Sequence, residues 1–369
     1  MKIINIGLVG AGWIVQKAHI PSLLKLNNVI LAAIYDIDKD NAVHVANEFN
    51  IKKVCENIND FYSLDIDAVI IATPNKTHAQ YSLNMLNHGI SVLCEKPVAL
   101  HAEEIDQIKQ AETEHNVIYI PGFVNRFRND IQRIFEIVDS GSIGDIKSVN
   151  ACWVRRSGVP RPGTWFTNKK MSGGGVLVDL GSHILDICLY LLKNKRAFEY
   201  LLNIYCESDQ SINCEGAANW FNTEYSKEYN IDVEDTVSAN VRYADGTLMN
   251  VKLSWSAPIE ADYTSFEIFG SKGKVELKTL FGFSNERLYS EDTLSVEIGG
   301  NVFSDIIDKK QNNTYRAFDR MIKHFIDSIL SRKKCIGSDD AFRTVEAIEK
   351  LYNIKNIKYI QGKQRFLEE

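Results

Sequence analysis

Asp179 and His183 stand four residues apart in the run Asp179-Leu180-Gly181-Ser182-His183-Ile184-Leu185-Asp186. In a helix that spacing puts both side chains on one face, where a carboxylate and an imidazole can meet the same small molecule. Near the start of the chain, Gly10-Ala11-Gly12-Trp13-Ile14-Val15 has the form of a phosphate-cradling loop. In G-x-G-x-x-G/A the first glycine makes the tight turn, the second lets the backbone approach a pyrophosphate, and the third allows close helix packing. Val15 holds the third place, and a branched side chain there is expected to keep the helix slightly off the sheet. Asp36, 26 residues after Gly10, can accept hydrogen bonds from both ribose hydroxyls of an adenosine and repel a 2′-phosphate, which favours NAD over NADP. The competing reading makes Asp36 the N-cap of a helix over 38–48.

These residues need particular elements to hold them. Residues 3–9 are a short apolar run ending in glycines, followed by an amphipathic stretch over 14–26, which together read as strand, turn and helix. Apolar runs at 29–35, 68–72, 91–94 and 117–121 alternate with helical stretches at 39–49, 78–87 and 102–115. That alternation predicts a parallel sheet with helices on both faces over residues 1–122. From 123 to 369 the pattern changes. A helix at 129–139 precedes alternating segments at 146–154, 198–205, 234–243, 247–255 and 264–269, with Asp245-Gly246 and Lys272-Gly273 as hairpin turns. This predicts a second α/β domain with a mostly antiparallel, open sheet and one embedded helix over 176–192. Helices near 315–330 and 340–353 follow, the last of them able to pack back on the first domain, and the polar stretch 284–313 reads as loop-rich.

Two strand ends carry further polar residues: Thr73, Pro74, Asn75 and His78 after the strand at 68–72, and Glu95, Lys96 and Pro97 after the strand at 91–94. Both lie at carboxyl ends of parallel strands, where ligands of such sheets bind. Farther on, Gly173-Gly174-Gly175 leads into the Asp179/His183 run. The E-K-P tripeptide joined with G-G-G-x-x-x-D-x-G-x-H resembles the Gfo/Idh/MocA oxidoreductases, and the likeness extends to Phe266–Lys274.

The resemblance implies a Rossmann domain followed by an α/β domain whose open sheet faces a partner subunit, in a homodimer or homotetramer. It also implies NAD-dependent oxidation of a ring hydroxyl in a sugar, sugar derivative or inositol. By position, Lys96 is the family's E-K-P lysine, and Asp179 and His183 are its helix pair. An alcohol that gives up hydride must also shed a proton, so the site needs a base titrating near neutrality and a cation for the incipient alkoxide. His183 fits the base as it stands. Lys96 fits the cation, and becomes the base instead if its surroundings lower its pKa. Asp179 is expected to bind a neighbouring hydroxyl. The expected cofactor contacts are Gly10, Gly12, Trp13, Ile14, Asp36, Thr73, Pro74, Asn75, His78, Glu95 and Lys96. A glycosidase that recycles bound NAD through oxidation, elimination and reduction is an alternative on the same fold, distinguished by its lack of net redox change. A non-enzymatic sugar-responsive regulator is another, and retention of Lys96, Asp179 and His183 speaks against it.

Arg155, Arg156 and Arg161 run into Trp165-Phe166 just before the glycine triplet. Arginines beside an aromatic pair suit an anionic or hydroxyl-rich sugar, with Trp165 over a sugar face; equally, they can pair with acids on a neighbouring subunit. Arg126, beside Asn125 in the crossover after Gly122, is expected to line the nicotinamide end and contact substrate. Asp186 reads either as support for His183 or as a helix-surface carboxylate. His44, His88, His101, His115 and His324 read as surface residues.

The 369 residues suffice for about two domains. With 45% hydrophobic and 24% charged residues, disorder and coiled coil are not indicated. A net charge of −6 lacks the basic footprint of a nucleic-acid binder. No run approaches the roughly 18–20 uninterrupted apolar residues of a membrane helix. Seven cysteines without a C-x-x-C pair suggest neither a disulfide framework nor a metal site. Met1-Lys2 is not followed by a signal-peptide cleavage pattern, so a reducing, cytoplasmic setting is expected.

Overall fold

The computed structural model describes residues 2–160, 162–206, 231–354 and 358–361. The chain divides into two compact units, Met1–Phe127 with Tyr315–Glu346, and Arg128–Thr314 with the chain from Ala347 onward. The division therefore falls at residue 127 rather than 122. The first unit also takes up most of the last two helices, where the sequence suggested at most one.

In the first unit the chain runs β1 (Ile4–Val9), α1 (Ile20–Leu23), β2 (Val29–Tyr35), α2 (Lys39–Phe49), β3 (Lys53–Val54), β4 (Ala68–Ile71), α3 (His78–Asn87), β5 (Ser91–Glu95), α4 (Ala102–Glu114) and β6 (Tyr119–Gly122). The six strands form a parallel sheet in the order β3-β2-β1-β4-β5-β6. β4 and β5 are buried along their whole length, as continuous apolar runs in a doubly covered sheet must be. Ahead of α1 the backbone makes a π-helical turn over Val15–His19, with the Ile20 amide reaching back to the Val15 carbonyl. Pro21 accounts for the wider turn, because it has no N–H for an α-type bond and its ring crowds the carbonyl four residues back.

The second unit contains α5 (Asn129–Asp139), β7 (Ile146–Val154), α6 (Lys169–Ser172), α7 (Val176–Leu191), β8 (Ala197–Cys206), β9 (Thr236–Tyr243), β10 (Leu248–Ser254), β11 (Tyr263–Gly270), β12 (Gly273–Thr279), β13 (Asp292–Ile298) and β14 (Asn301–Ile307). Then come α8 (Thr314–Ser331), α9 (Ser338–Tyr352) and β15 (Lys358–Gln361). Nine strands form one sheet in the order β14-β13-β12-β11-β7-β10-β9-β8-β15. Its pairs are antiparallel except β7 with β10 and β8 with β15. The stretch expected to be loop-rich holds the β13–β14 hairpin. Gly299 and Gly300, both at positive φ, supply a two-residue turn that matches the twist of the flanking strands.

Helix α7 lies on this sheet as the centre of the second unit's core, with Leu177, Leu180, Ile184, Ile187 and Cys188 packed among Val149, Val251, Leu253 and Phe266. The segment Lys169–Leu191 is long and apolar enough to cross a membrane by length and mean hydropathy, although Asp179, His183 and Asp186 interrupt it, and it is largely buried inside the protein. A helix apolar nearly all round belongs in the interior of a large core.

Candidate active site

The first unit carries the residues expected to hold the dinucleotide. Gly10 has φ +105°, and a Cβ there would run into the Ala72 carbonyl, so this position requires glycine. Gly12 differs: among the described residues, its chain neighbours aside, a Cβ would meet no atom within 4 Å. Nothing in the protein's own packing calls for glycine at Gly12, whereas close approach of a pyrophosphate to the backbone does. Trp13 and Ile14 follow half-buried.

Asp36 closes β2. Its Oδ2 accepts from the Ala11 amide at 2.6 Å and its Oδ1 from the Asp38 amide at 2.9 Å. A carboxylate has about four acceptor sites, so two ribose hydroxyls can still be taken. The N-cap of α2 is Asp38, which accepts from Asn41 N at 3.1 Å, so the capping reading of Asp36 is set aside. Lys39, the nearby cation that could welcome a 2′-phosphate, is paired with Glu56 at 2.5 Å.

Thr73 and Pro74 are half-buried and Asn75 is buried at the end of β4. His78 is fully enclosed, and its two ring nitrogens lie 2.7 Å from the Pro97 and Thr73 carbonyls. It pins the β4 and β5 loops to each other and shows no face to a cofactor, contrary to the sequence expectation. Glu95 likewise faces inward: Oε1 is 2.8 Å from His19 Nε2, and Oε2 accepts from the Lys96 amide. His19 is wholly buried, and the sequence reading had passed it over. Lys96 is half-buried and joined to Pro97 by a cis peptide. Arg126 departs from expectation. It is buried and gives a hydrogen bond to Asp340 Oδ1 at 3.0 Å, and Asp340 also accepts from Arg343 and the Gly337 amide. Arg126 ties the chain after β6 to α9 within the first unit.

The second unit supplies the helix pair. Asp179 stands in the first turn of α7, where the helix dipole favours a carboxylate, and its Oδ2 accepts from Trp255 Nε1 at 2.9 Å. His183 follows one turn later, only 7% exposed, its ring 5.8 Å from that of Trp153. The parallel pairing of β7 and β10 brings Trp153 beside Leu253, and at the strand ends Arg155 N donates to Ser254 O. Arg155 is buried with its guanidinium 4.9 Å over the Trp153 ring. Burial draws its pKa down, against the charges of Asp179 and Asp262.

Asp186 is buried, which rules out the surface reading. Arg156, by contrast, is 58% exposed and lies 4.0 Å from Glu286, apart from the Trp153–Arg155 stack. Trp165 stacks on Phe166 with ring centroids 4.1 Å apart. Arg161 lies outside the described residues. Of the histidines read as surface residues, His324 is half-buried beside Phe127 and Cys335, and burial lowers its pKa.

Comparison with known proteins gives this arrangement its context. Residues 4–123 match the family model described as "Oxidoreductase family, NAD-binding Rossmann fold", and residues 131–276 match the "GFO/IDH/MocA C-terminal domain". The D-glucoside 3-dehydrogenase of Escherichia coli is 28% identical over 69% of this chain and 71% of its own length. The glucose-6-phosphate 3-dehydrogenase of Bacillus subtilis is 26% identical over 94% of this chain and 95% of its own. The solved structure of a levoglucosan dehydrogenase with NADH and levoglucosan superposes with a TM-score of 0.77 at 19% identity, covering 95% of this chain and 97% of the other.

Proposed function

The chain belongs to the Gfo/Idh/MocA oxidoreductases and is NAD-dependent, and from that premise we propose that it oxidises a ring hydroxyl of a hexose or hexoside, at carbon 3. The observation that carries the chemistry is the pair on α7, a buried imidazole and a half-buried, indole-held carboxylate one turn apart on a rigid element. The position on the ring is supported by two relatives named as 3-dehydrogenases.

Bound NAD supplies the hydride acceptor. His183, whose ring makes a tilted contact with Trp153, removes the hydroxyl proton as hydride leaves the carbon. Lys96 holds the oxygen as negative charge develops on it. Asp179, whose Oδ2 accepts from Trp255 Nε1, accepts a hydrogen bond from a neighbouring sugar hydroxyl and so orients the ring. We also place the protein in a reducing compartment, with Cys55, Cys94 and Cys188 as buried free thiols, and as a homo-oligomer assembled through the open face of the nine-stranded sheet.

The experiment is to incubate the purified protein with NAD and a panel of inositols, hexoses, sugar phosphates and glycosides, following the absorbance of the reduced nicotinamide. Hexosides or hexose phosphates oxidised to 3-keto sugars support the proposal. Turnover of inositols alone moves the substrate class, and cleavage of a glycoside without net reduction of NAD replaces the dehydrogenase by a glycosidase.

A further inference from the structure

We propose that Glu234, held by Tyr352, is a positioning residue for the reaction: it sets where α7 begins and thereby the direction in which Asp179 and His183 point. The inference rests on the reading above that this pair carries the chemistry.

A helix begins with unpaired amides that need acceptors, and these normally come from a Ser, Thr, Asp or Asn at the N-cap. The N-cap of α7 is Gly175, which has no side chain to offer. The acceptors come instead from a residue 59 positions away. Both carboxylate oxygens of Glu234 accept from Gly175 N at 3.0 Å, Oε1 accepts from Leu177 N at 3.0 Å, and the Glu234 carbonyl accepts from Val176 N at 2.9 Å. Tyr352 of α9 donates its hydroxyl to Oε1 at 2.6 Å. A buried carboxylate thus sits on the positive end of the helix. Burial raises its pKa, while the hydrogen bonds from Tyr352, Leu177 and Gly175 pull the other way.

The glycine triplet is the space this latch occupies. A Cβ on Gly175 would overlap the Glu234 backbone, and one on Gly174 would overlap the Tyr352 hydroxyl. Gly173 ends α6 in the left-handed conformation. The same stretch of chain also controls the carboxylate of the pair, because the carbonyl of the adjoining Asp235 accepts from Trp255 N at 2.9 Å, and the Trp255 indole holds Asp179. Two consecutive residues therefore fix both the helix that carries the pair and the indole that aims half of it. A one-residue slip of the sequence along the helix path would turn every side chain on it by about 100°.

The test uses the full chain, NAD and the sugar turned over fastest in the panel. Glu234→Ala is expected to lower kcat about 100-fold, the scale of a misplacement near 1 Å. KM for the sugar should rise as Asp179 is displaced with His183, while NAD binding, read by fluorescence titration, should move about twofold or less. Glu234→Gln keeps an acceptor oxygen and should recover kcat to within about tenfold of wild type. Tyr352→Phe removes only the phenolic oxygen and should lower kcat several-fold in a folded protein, so it carries the test if Glu234→Ala does not fold. Unchanged kcat in Glu234→Ala, or in Tyr352→Phe where that variant decides, would overturn the inference even if the melting temperature drops. His183→Ala, run in parallel, separates the two ideas. If it loses activity while the Glu234 and Tyr352 variants keep theirs, only the latch is wrong, and if it keeps full activity, the α7 reading and this inference both fall.

Discussion

Asp36 and Lys39 lie three positions apart with opposite preferences for a cofactor's ribose, and the Glu56 pairing occupies the lysine. Removing a charged hydrogen-bond partner costs about 1.5–3 kcal/mol, so Asp36→Ala should narrow the kcat/KM advantage of NAD over NADP by roughly 10–100-fold. Adding Glu56→Gln should narrow it further by releasing Lys39. Better use of NADP than NAD by the unaltered protein would refute this account. His183→Ala and Lys96→Ala should each lower kcat roughly 100-fold to 10,000-fold with NAD affinity near normal. His183→Ala should also remove the acidic limb of the kcat/KM profile, and a limb that survives there but vanishes in Lys96→Met would make the lysine the base. The arginines separate by burial. Arg156→Ala should raise KM for a phosphorylated sugar and spare a neutral one, whereas Arg155→Ala disturbs Trp153 and the charge facing Asp179 and should impair both alike.

At the scale of elements, much was legible because the signals are local. The i, i+4 pair on α7, the turn glycine at Gly10 and the hairpin turns near 245 and 272 each depend on a few adjacent residues. The β13–β14 hairpin was overlooked because its polar sequence masked the two-residue alternation, although Gly299-Gly300 marked the turn. Partners far apart in sequence left no pattern to read: His19 with Glu95, Arg126 with Asp340 across 214 positions, and Tyr352 with Glu234 across 118. The Arg126–Asp340 tie has a pH signature. Asp340 is pushed up by burial but pulled below its ordinary 3.8 by Arg126, the Gly337 amide and Arg343, with a net downward shift. The unfolded chain then binds the proton more readily, so this stabilisation is present above pH 3.8 and is lost as pH falls through the depressed folded value. Asp340→Asn should cost about 3 kcal/mol at neutral pH by removing the carboxylate charge beside the buried Arg126 guanidinium. Denaturant titrations at neutral and acid pH should show that gap closing as wild-type Asp340 is itself protonated.

On the scale of the whole molecule, β14 exposes Val302, Phe303 and Ile306, and Phe198, Leu201, Leu248 and Phe269 are exposed elsewhere in the same sheet. If that surface assembles the oligomer, Val302→Glu combined with Ile306→Glu, both on the open face of β14, should lower the mass measured by light scattering, with the circular dichroism spectrum unchanged. An unchanged mass would place the subunit contact elsewhere. The first unit is discontinuous: Ala341 and Val345 complete its apolar core, Ser22 and Lys25 bind Asp319, and Glu112 is met by Lys334 and Ser338. During translation, the dinucleotide-binding sheet therefore leaves the ribosome long before the helices that finish it. It must wait, incompletely buried, while the whole nine-stranded sheet is synthesised, a high-contact-order route on which half-made cores are prone to aggregate. For such a chain, growth temperature and chaperone supply should govern soluble yield more than the equilibrium stability of the finished protein does.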